Sequence, residues 1–188
     1  MSDNRQWLIE KLNAYTGFTD EYEHISKIMT LEYLRHHSRA FWRDEFVPGH
    51  LTSSAWIVNP SRTKVLMMYH KYIQKWLQFG GHADGNPNLV EVALKEASEE
   101  TGLDISLFEV LMNEAIFDVA IVPVPANPKK NEPDHVHFDI RFLLELDDAI
   151  PLPENPEGLD VRWLEFNEAH RLISSGNTCL RMLEKSIS

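Results

Sequence analysis

The segment GGHADGNPNLVEVALKEASEETGL, residues 80–103, joins a glycine-rich loop to a helical pattern. Apolar residues recur there at helical spacing, at Leu89, Val92, Ala93 and Ala97. Asn88 is a favourable N-cap residue, and Glu91 three positions later is typical of a capping box. Gly102 is the usual left-handed helix stop. The segment therefore predicts a loop, a helix of about three and a half turns, and a stop.

Three glutamates, Glu96, Glu99 and Glu100, stand at positions i, i+3 and i+4 of this helix. Side chains at these spacings are neighbours on one helical face, so their like charges repel. A divalent cation would turn that repulsion into ligation, and magnesium takes oxygen ligands. The alternative is an ordinary acidic surface helix exposed to solvent. The cluster favours a metal site.

With its glycine loop, the segment resembles the signature of the Nudix hydrolase family. That signature is Gly, five residues, Glu, seven residues, Arg-Glu, an apolar residue, any residue, Glu-Glu, any residue, Gly and an apolar residue. Anchored on Gly81 and Gly102, the three glutamates occupy its last three acidic positions. Pro87 replaces the first Glu, and Lys95 replaces the Arg. Glu91 repeats the first spacing from Gly85, out of register with the rest.

The resemblance extends over about residues 50–175, through the segments HLTSSAWIV, KVLMMYHK, KWLQFGGHADG, HVHFDIRFLLEL and LDVRWLEF. It implies an α+β fold, a Nudix-type α/β/α sandwich with a mixed β-sheet. We expect a Nudix hydrolase domain over 46–188 and an N-terminal helical extension over 1–45 that packs on it, making a single domain overall.

The resemblance also implies a metal-dependent hydrolase that cleaves a diphosphate linkage in a nucleotide or a nucleoside diphosphate bearing a second group. Glu96, Glu99 and Glu100 would be the catalytic and metal-binding residues. A backbone carbonyl at Gly80 or Gly81 would join them around Mg²⁺, which Mn²⁺ could replace. Glu96 or Glu99 would also position the attacking water, and the choice of general base stays open.

The same residues are compatible with three other functions. A catalytically silent Nudix domain could serve as a nucleotide or metabolite sensor, although all three carboxylates are present. An isopentenyl-diphosphate isomerase shares the fold but uses an active-site cysteine, whereas the single cysteine, Cys179, falls in a predicted C-terminal helix. An interaction module with an acidic helix would have to treat the spacing as accidental.

A second polar group lies on one predicted strand. His135, His137 and Asp139 alternate with Val136 and Phe138, so the three polar side chains share one face. Imidazoles and a carboxylate on one face form a metal or phosphate site, although a solvent-facing strand is the alternative.

Three further residues could contact substrate or support the site. His82 follows the glycine loop and could face the same cleft. Arg141 could hold a phosphate or form an ion pair. Lys95 is expected to pair with Glu91 and Glu99 on the helix.

Aromatic residues before and within the loop offer a place for a nucleobase. They are Tyr69, Tyr72, Trp76 and Phe79. Bases stack on aromatic rings, but aromatics in such strands more often belong to the core. We keep both interpretations.

The amino-acid composition limits the classes of molecule that this protein is expected to bind. The chain has 188 residues, 43% hydrophobic and 25% charged, with a formal net charge of −11. Such acidity argues against nucleic acid or an anionic membrane as the main partner and favours a small phosphorylated molecule bound through metal. The N-terminus, MSDNRQWLIEKL, lacks a signal-peptide core. We expect a cytoplasmic protein, and a homodimer is left open.

The remaining pattern predicts helices at 4–15, 20–37, 167–175 and 177–186, with Thr19 as the cap of the second. Strands are predicted at about 51–58, 64–70, 75–79, 107–112, 114–122, 135–146 and 160–166.

Overall fold

A computed structural model describes residues 5–71, 73–154, 160–173 and 176–187. The helices are α1 (Gln6–Ala14), α2 (Glu21–His36), α3 (Leu89–Thr101), α4 (Phe166–Leu172) and α5 (Thr178–Ile187). The strands are β1 (Gly49–Val58), β2 (Lys64–His70), β3 (Lys75–Leu77), β4 (Phe79–His82), β5 (Glu109–Val110), β6 (Asp118–Val124), β7 (His135–Glu145) and β8 (Asp160–Glu165). Short 3-10 turns lie at Ile105–Leu107 and Met112–Glu114. No helix in the described ranges is long and apolar enough to cross a membrane.

The strands form one mixed sheet in the order β3-β2-β1-β7-β5. β1 and β7 are parallel along their whole length, with His50 opposite His137 and Thr52 opposite Asp139. The other pairs are antiparallel: β4 with β1, β6 with β7, and β8 with β2. This is the α+β, mixed-sheet fold that the sequence predicts.

Helices cover both faces of the sheet, which gives the expected α/β/α layers. Strand β1 shows why, because its residues alternate between the two faces. Ala55 and Ile57 belong to an apolar cluster that includes residues of α1, α2 and α3. Trp56 and Val58 belong to a second cluster that includes residues of α4 and α5.

Several apolar side chains of helix α2 face solvent. Ile25, Ile28 and Met29 are 45%, 51% and 52% exposed, although all three are apolar. Glu23 is completely buried instead, since it pairs with Lys185 and accepts a hydrogen bond from Tyr15. A tertiary polar contact therefore outweighs the hydrophobic pattern of the helix.

Several predicted boundaries change. The strand expected at 114–122 begins at Asp118. Met112, Asn113 and Glu114 have φ values of 57°, 53° and 59°, a left-handed conformation that no strand adopts. The predicted strand at 107–112 shrinks to Glu109–Val110.

Two other local expectations also change. The strand expected at 75–79 is split between β3 and β4. Asp20, not Thr19, caps α2, because its carboxylate accepts the Glu23 N–H.

A buried ion network joins β6, β7 and α5. Asp118 is fully buried and accepts hydrogen bonds from Arg141 at 2.9 Å and from Arg181 Nε at 2.7 Å. Lys185 lies 3.4 Å from the same carboxylate and also pairs with Glu23 of α2. The network ties the last helix to the sheet and to the N-terminal helices.

Candidate active site

A cleft of about 560 Å³ opens on the face of the sheet that carries α5. Its floor is polar, because His50, Thr52 and Ser54 of β1 and Asp139 of β7 line it. Gly80, Gly81 and Glu100 form one wall. An apolar wall is formed by Met68, Ile73, Leu77, Val122, Val124 and Pro125. The sequence therefore places its glycine loop and its histidine strand in one cavity.

Gly81 leaves room for Glu96 of the acidic helix, and Gly80 lets β4 lie close to β1. A Cβ at position 81 would lie 2.5 Å from the carboxylate of Glu96, and one at position 80 would lie 2.5 Å from Ser54 Oγ. The Gly80 N–H donates a 2.9 Å hydrogen bond to Glu100 Oε2. Because no side chain intervenes, two of the three glutamates lie against the β4 backbone.

The third glutamate and the lysine have a different environment. Glu99 and Lys95 have 54% and 59% exposed side chains and form an ion pair at 3.0 Å. Lys95 also lies 3.4 Å from Glu96. Its i+4 partner is as predicted, and its second partner is Glu96 where Glu91 was expected.

The cap of α3 also differs in detail. The Asn88 side chain accepts the Glu91 N–H, as predicted. The Glu91 carboxylate, however, accepts a bond from the Asn86 side chain, so the reciprocal half of a capping box is not made. Asn86 thereby joins the loop to the first turn of the helix.

Four histidines gather on the floor of the cleft. The ring centroid of His50 lies 5.1 Å from that of His82, 5.0 Å from that of His135 and 4.8 Å from that of His137. His82 and the His135–Asp139 strand thus face the cleft, as the sequence suggested. His50 was missed, although polar residues alternating at 50, 52 and 54 on a strand were a signal for it.

The surroundings of His50, His82 and His137 lower the pKa of each ring and favour its neutral form. Burial, with the charge of Arg43 next, lowers the pKa of His82 to about 4. Burial and the neighbouring His82 lower the pKa of His137 to about 3. Burial also lowers the pKa of His50. Neutral imidazoles offer nitrogen lone pairs to a ligand.

The pKa of Glu96 on α3 is shifted in the opposite direction. Burial raises the pKa of Glu96, in spite of the nearby Lys95. A cation bound next to Glu96 would favour its ionised form. This environment is the kind that a hard divalent metal would complete.

Asp139 and Arg141 are engaged with the protein. Asp139 accepts hydrogen bonds from Thr52 at 3.0 Å and Ser54 at 2.9 Å, and it pairs with Arg141 at 2.7 Å. Arg141 is 1% exposed and also pairs with Asp118. Of the two roles expected for Arg141, the structure shows the ion pair.

Comparison with known proteins decides the family. A family model described as the NUDIX domain matches residues 49–181. The chain belongs to the Nudix hydrolase family. A curated protein of Lactococcus lactis subsp. cremoris, named "Probable DHNTP pyrophosphohydrolase", is 34% identical over 85 residues, 45% of this chain and 48% of that protein. The match thus spans about half the length of the relative.

Solved structures share the Nudix fold. A Nudix-family hydrolase from Clostridium perfringens is 24% identical with a TM-score of 0.50, covering 73% of this chain and 96% of its own. The E. coli dihydroneopterin triphosphate pyrophosphohydrolase is 14% identical with a TM-score of 0.51, covering 73% and 94%. A C. elegans Ap4A hydrolase in a binary complex is 14% identical with a TM-score of 0.53, covering 72% and 93%.

Of the aromatic residues considered for base stacking, Tyr69, Trp76 and Phe79 do not line the cleft. Phe79 is completely buried in the core, so it cannot stack on a base. Tyr69 and Trp76 contact each other at 5.5 Å, and Arg162 lies over the Trp76 ring. Tyr72 is outside the described residues. For Phe79 the core interpretation is the right one.

Cys179 is buried in α5, as predicted, and packs on the sheet. Its thiol donates to the Gln78 side chain at 3.0 Å. Burial raises its pKa to about 11, so the thiol is protonated at neutral pH. Such a cysteine is not poised for the acid–base role that an isomerase of this fold requires.

Proposed function

We propose that this protein is a metal-dependent hydrolase that cleaves a diphosphate linkage in a nucleotide or nucleoside diphosphate-type substrate. The observation that carries the proposal is the position of Glu96 and Glu100 against the side-chain-free Gly80–Gly81 backbone, beside the polar cleft. Family membership supports hydrolysis, and the name of the Lactococcus relative supports a pyrophosphate-releasing or pyrophosphate-cleaving reaction.

The residues present fit a hard divalent cation. The Glu96, Glu99 and Glu100 carboxylates and the Gly81 carbonyl are oxygen donors of the type that Mg²⁺ and Mn²⁺ prefer. Burial raises the pKa of Glu96, and Lys95 already places a positive charge beside Glu96 and Glu99. When bound, the cation would supply charge neutralisation for the phosphate oxygens.

Side chains of the protein would position the attacking water and the substrate. Glu96 or Glu99 would orient the attacking water and accept its proton, since each carries a carboxylate on the helix that faces β4. Arg43 and Lys130 line the cleft and would draw the polyphosphate into an otherwise acidic protein. The apolar wall around Ile73 and Val122 would exclude water from the organic part of the substrate.

Two alternative functions remain to be tested. A silent Nudix domain that senses a nucleotide or metabolite would bind in the same cleft without turnover. An isopentenyl-diphosphate isomerase-like enzyme is less favoured, because Cys179 is buried with a raised pKa. A small phosphorylated molecule is the partner in each case.

The test is a phosphate- and pyrophosphate-release screen with Mg²⁺. The substrates are nucleoside triphosphates, ADP-ribose, NADH, dinucleoside polyphosphates and dihydroneopterin triphosphate. We expect magnesium-dependent release from at least one, abolished by EDTA. Binding of a nucleotide without release from any substrate would favour the sensor, and conversion of isopentenyl diphosphate would favour the isomerase.

A further inference from the structure

We propose that His50, His135 and His137 form a transition-metal site, of the zinc class, that is separate from the carboxylate site. Each of the three offers one ligand atom, and these atoms lie within 4.8 Å of one another. Imidazole nitrogens suit zinc and related metals, whereas magnesium prefers oxygen. The metal site does not depend on the proposed hydrolysis.

The orientation of His50 is the strongest observation. Its ring is 1% exposed, and its Nδ1 lies 3.0 Å from the Glu45 carbonyl oxygen, to which it must donate. Its Nε2 therefore carries the lone pair. Among the described residues this buried Nε2 has no hydrogen-bond partner. Buried polar atoms are normally satisfied, so an unpartnered nitrogen in a polar cleft indicates a ligand.

His135 is fixed in the same way. It is 7% exposed, and its Nδ1 donates to the Pro133 carbonyl at 2.8 Å. This bond leaves the lone pair on Nε2. A backbone carbonyl that holds the distal N–H of an imidazole is the usual outer support of a metal-binding histidine.

The third ligand gives the expected spacing. His137 Nε2 lies 3.3 Å from His135 Nε2, where it donates a hydrogen bond to the lone pair of His135, and a metal would replace this bond once the His137 proton moves to Nδ1. Two nitrogens bound to zinc at about 2.0–2.1 Å with tetrahedral angles are separated by about 3.3–3.4 Å. The ligand nitrogen of His50 lies within 4.8 Å of the other two, so small side-chain shifts would bring all three to this spacing. A metal would satisfy all three lone pairs at once.

His82 is left out of the ligand set for a structural reason. Its Nδ1 accepts a hydrogen bond from the Arg43 guanidinium, and that cation lies beside the ring. With three protein nitrogens, the fourth coordination position is open, as in catalytic zinc sites. It faces the cleft that Glu100 also lines, where a phosphate oxygen could enter.

The experiment uses the full chain without an affinity tag, stripped with chelator and then titrated with Zn²⁺ and Co²⁺. We expect one Zn²⁺ per chain with a Kd of about 1 µM or tighter. Tetrahedral Co²⁺ should give intense visible bands that shift when inorganic pyrophosphate is added. A spectrum that pyrophosphate leaves unchanged would overturn the open fourth position.

Variants assign the ligands. His137→Asn and His50→Asn should each weaken Zn²⁺ binding at least about a hundredfold, the upper end of what losing an outer support costs. Circular dichroism checks whether each variant folds. If the variant at the buried His50 fails to fold, the variant at the partly exposed His137 provides the test. His82→Asn and the exposed His36→Asn are matched controls that should stay within a few-fold.

The carboxylate site is separated by the Glu96→Gln/Glu100→Gln variant. We expect it to keep Zn²⁺ binding while losing magnesium-dependent turnover. Zinc binding that survives both His50→Asn and His137→Asn, or that is lost only with the glutamates, would overturn the proposal. Zinc binding without any hydrolysis would instead contradict the proposed function and leave the histidine site standing.

Discussion

At the scale of single residues, the backbone of Gly80 and Gly81 contacts two of the glutamates. A Cβ at position 81 would overlap the Glu96 carboxylate and force that side chain to move. Position 80 offers its N–H to Glu100 across the same gap. The glycine loop and the glutamates therefore form one structural unit. The fixed spacing between them in the family signature reflects this packing.

The first prediction concerns Glu100. Glu100→Gln keeps the size and the acceptor for the Gly80 N–H but removes the charge that would hold a cation. We expect the magnesium-dependent turnover to fall by at least about 10–100-fold. Without metal, the melting temperature should be unchanged or slightly higher, because like-charge repulsion is relieved.

The matched control is Glu91→Gln on the exposed side of the same helix, which should keep its activity. Full turnover in Glu100→Gln would remove this glutamate from the mechanism.

The second prediction concerns His82. We expect its ring to remain neutral until the pH falls to about 4, because burial and Arg43 oppose the charged form. The neutral ring then stabilises the fold above the unfolded pKa of about 6.5, and this contribution is lost as pH falls through the folded value. Arg43→Gln should raise the pKa of His82 in an NMR titration assigned with His82→Asn. Titration of the wild-type ring near pH 6.5 would refute this account.

At the scale of elements, β7 serves the core and the cleft with alternate residues. His135, His137 and Asp139 line the cleft, while Phe138 and Ile140 are buried on the opposite face. The strand can do both because successive side chains point to opposite faces of the sheet. One element thus links the stability of the sheet to the geometry of the site.

The third prediction separates these two faces. Phe138 is 3% exposed and stacks on Tyr33 of α2 with 4.1 Å between ring centroids. We expect Phe138→Ala to lower the free energy of unfolding by about 3–5 kcal/mol, as other buried aromatic truncations do. His137→Ala should lower activity and leave the protein folded. Urea unfolding measures both variants.

Phe18→Ala, at a phenylalanine that is 37% exposed, is the control and should cost less than about 1 kcal/mol. Equal losses at Phe138 and Phe18 would mean that the stacked pair adds nothing.

At the scale of the whole molecule, the ion network around Asp118 joins segments from both ends of the chain. It connects β6 and β7 to α5, and through Lys185 to Glu23 of α2. Burial opposes ionisation of Asp118, but the Arg181 hydrogen bond and the Arg141 charge outweigh it and lower its pKa. Arg141 then extends the network to Asp139 in the cleft.

The fourth prediction tests this network. Asp118→Asn removes the buried carboxylate charge that Arg141 and Arg181 share, so we expect a loss of about 3–5 kcal/mol in unfolding free energy at pH 7. In the wild type the contribution is present above the unfolded pKa of about 3.9 and is lost as pH falls through the lower folded value. The difference between wild type and variant should therefore shrink in acid.

The exposed pair of Asp160 with Arg162 provides the control, since Asp160→Asn should change stability by less than about 1 kcal/mol. A similar cost for Asp118→Asn and Asp160→Asn would mean that burial adds nothing to the network.

Local periodicity along the chain is enough to predict helix α3 and the polar face of β7. Helix α3 with its Asn88 cap and Gly102 stop follows from spacing and from backbone preferences of neighbouring residues. The alternation of His135 to Asp139 on β7 follows from the two-residue repeat of a strand. Each pattern involves residues that are close together in the chain, so it can be recognised without knowledge of long-range contacts.

Which residues lie opposite these patterns depends on long-range contacts. The parallel pairing of β1 with β7 places His50 beside His137, although the two residues are distant in the chain. The buried ion pairs of Glu23 turn the polar side of α2 inward and expose Ile25. Strand register and buried charge pairing depend on long-range contacts, whose free energies exceed the weak local preferences that a sequence pattern records.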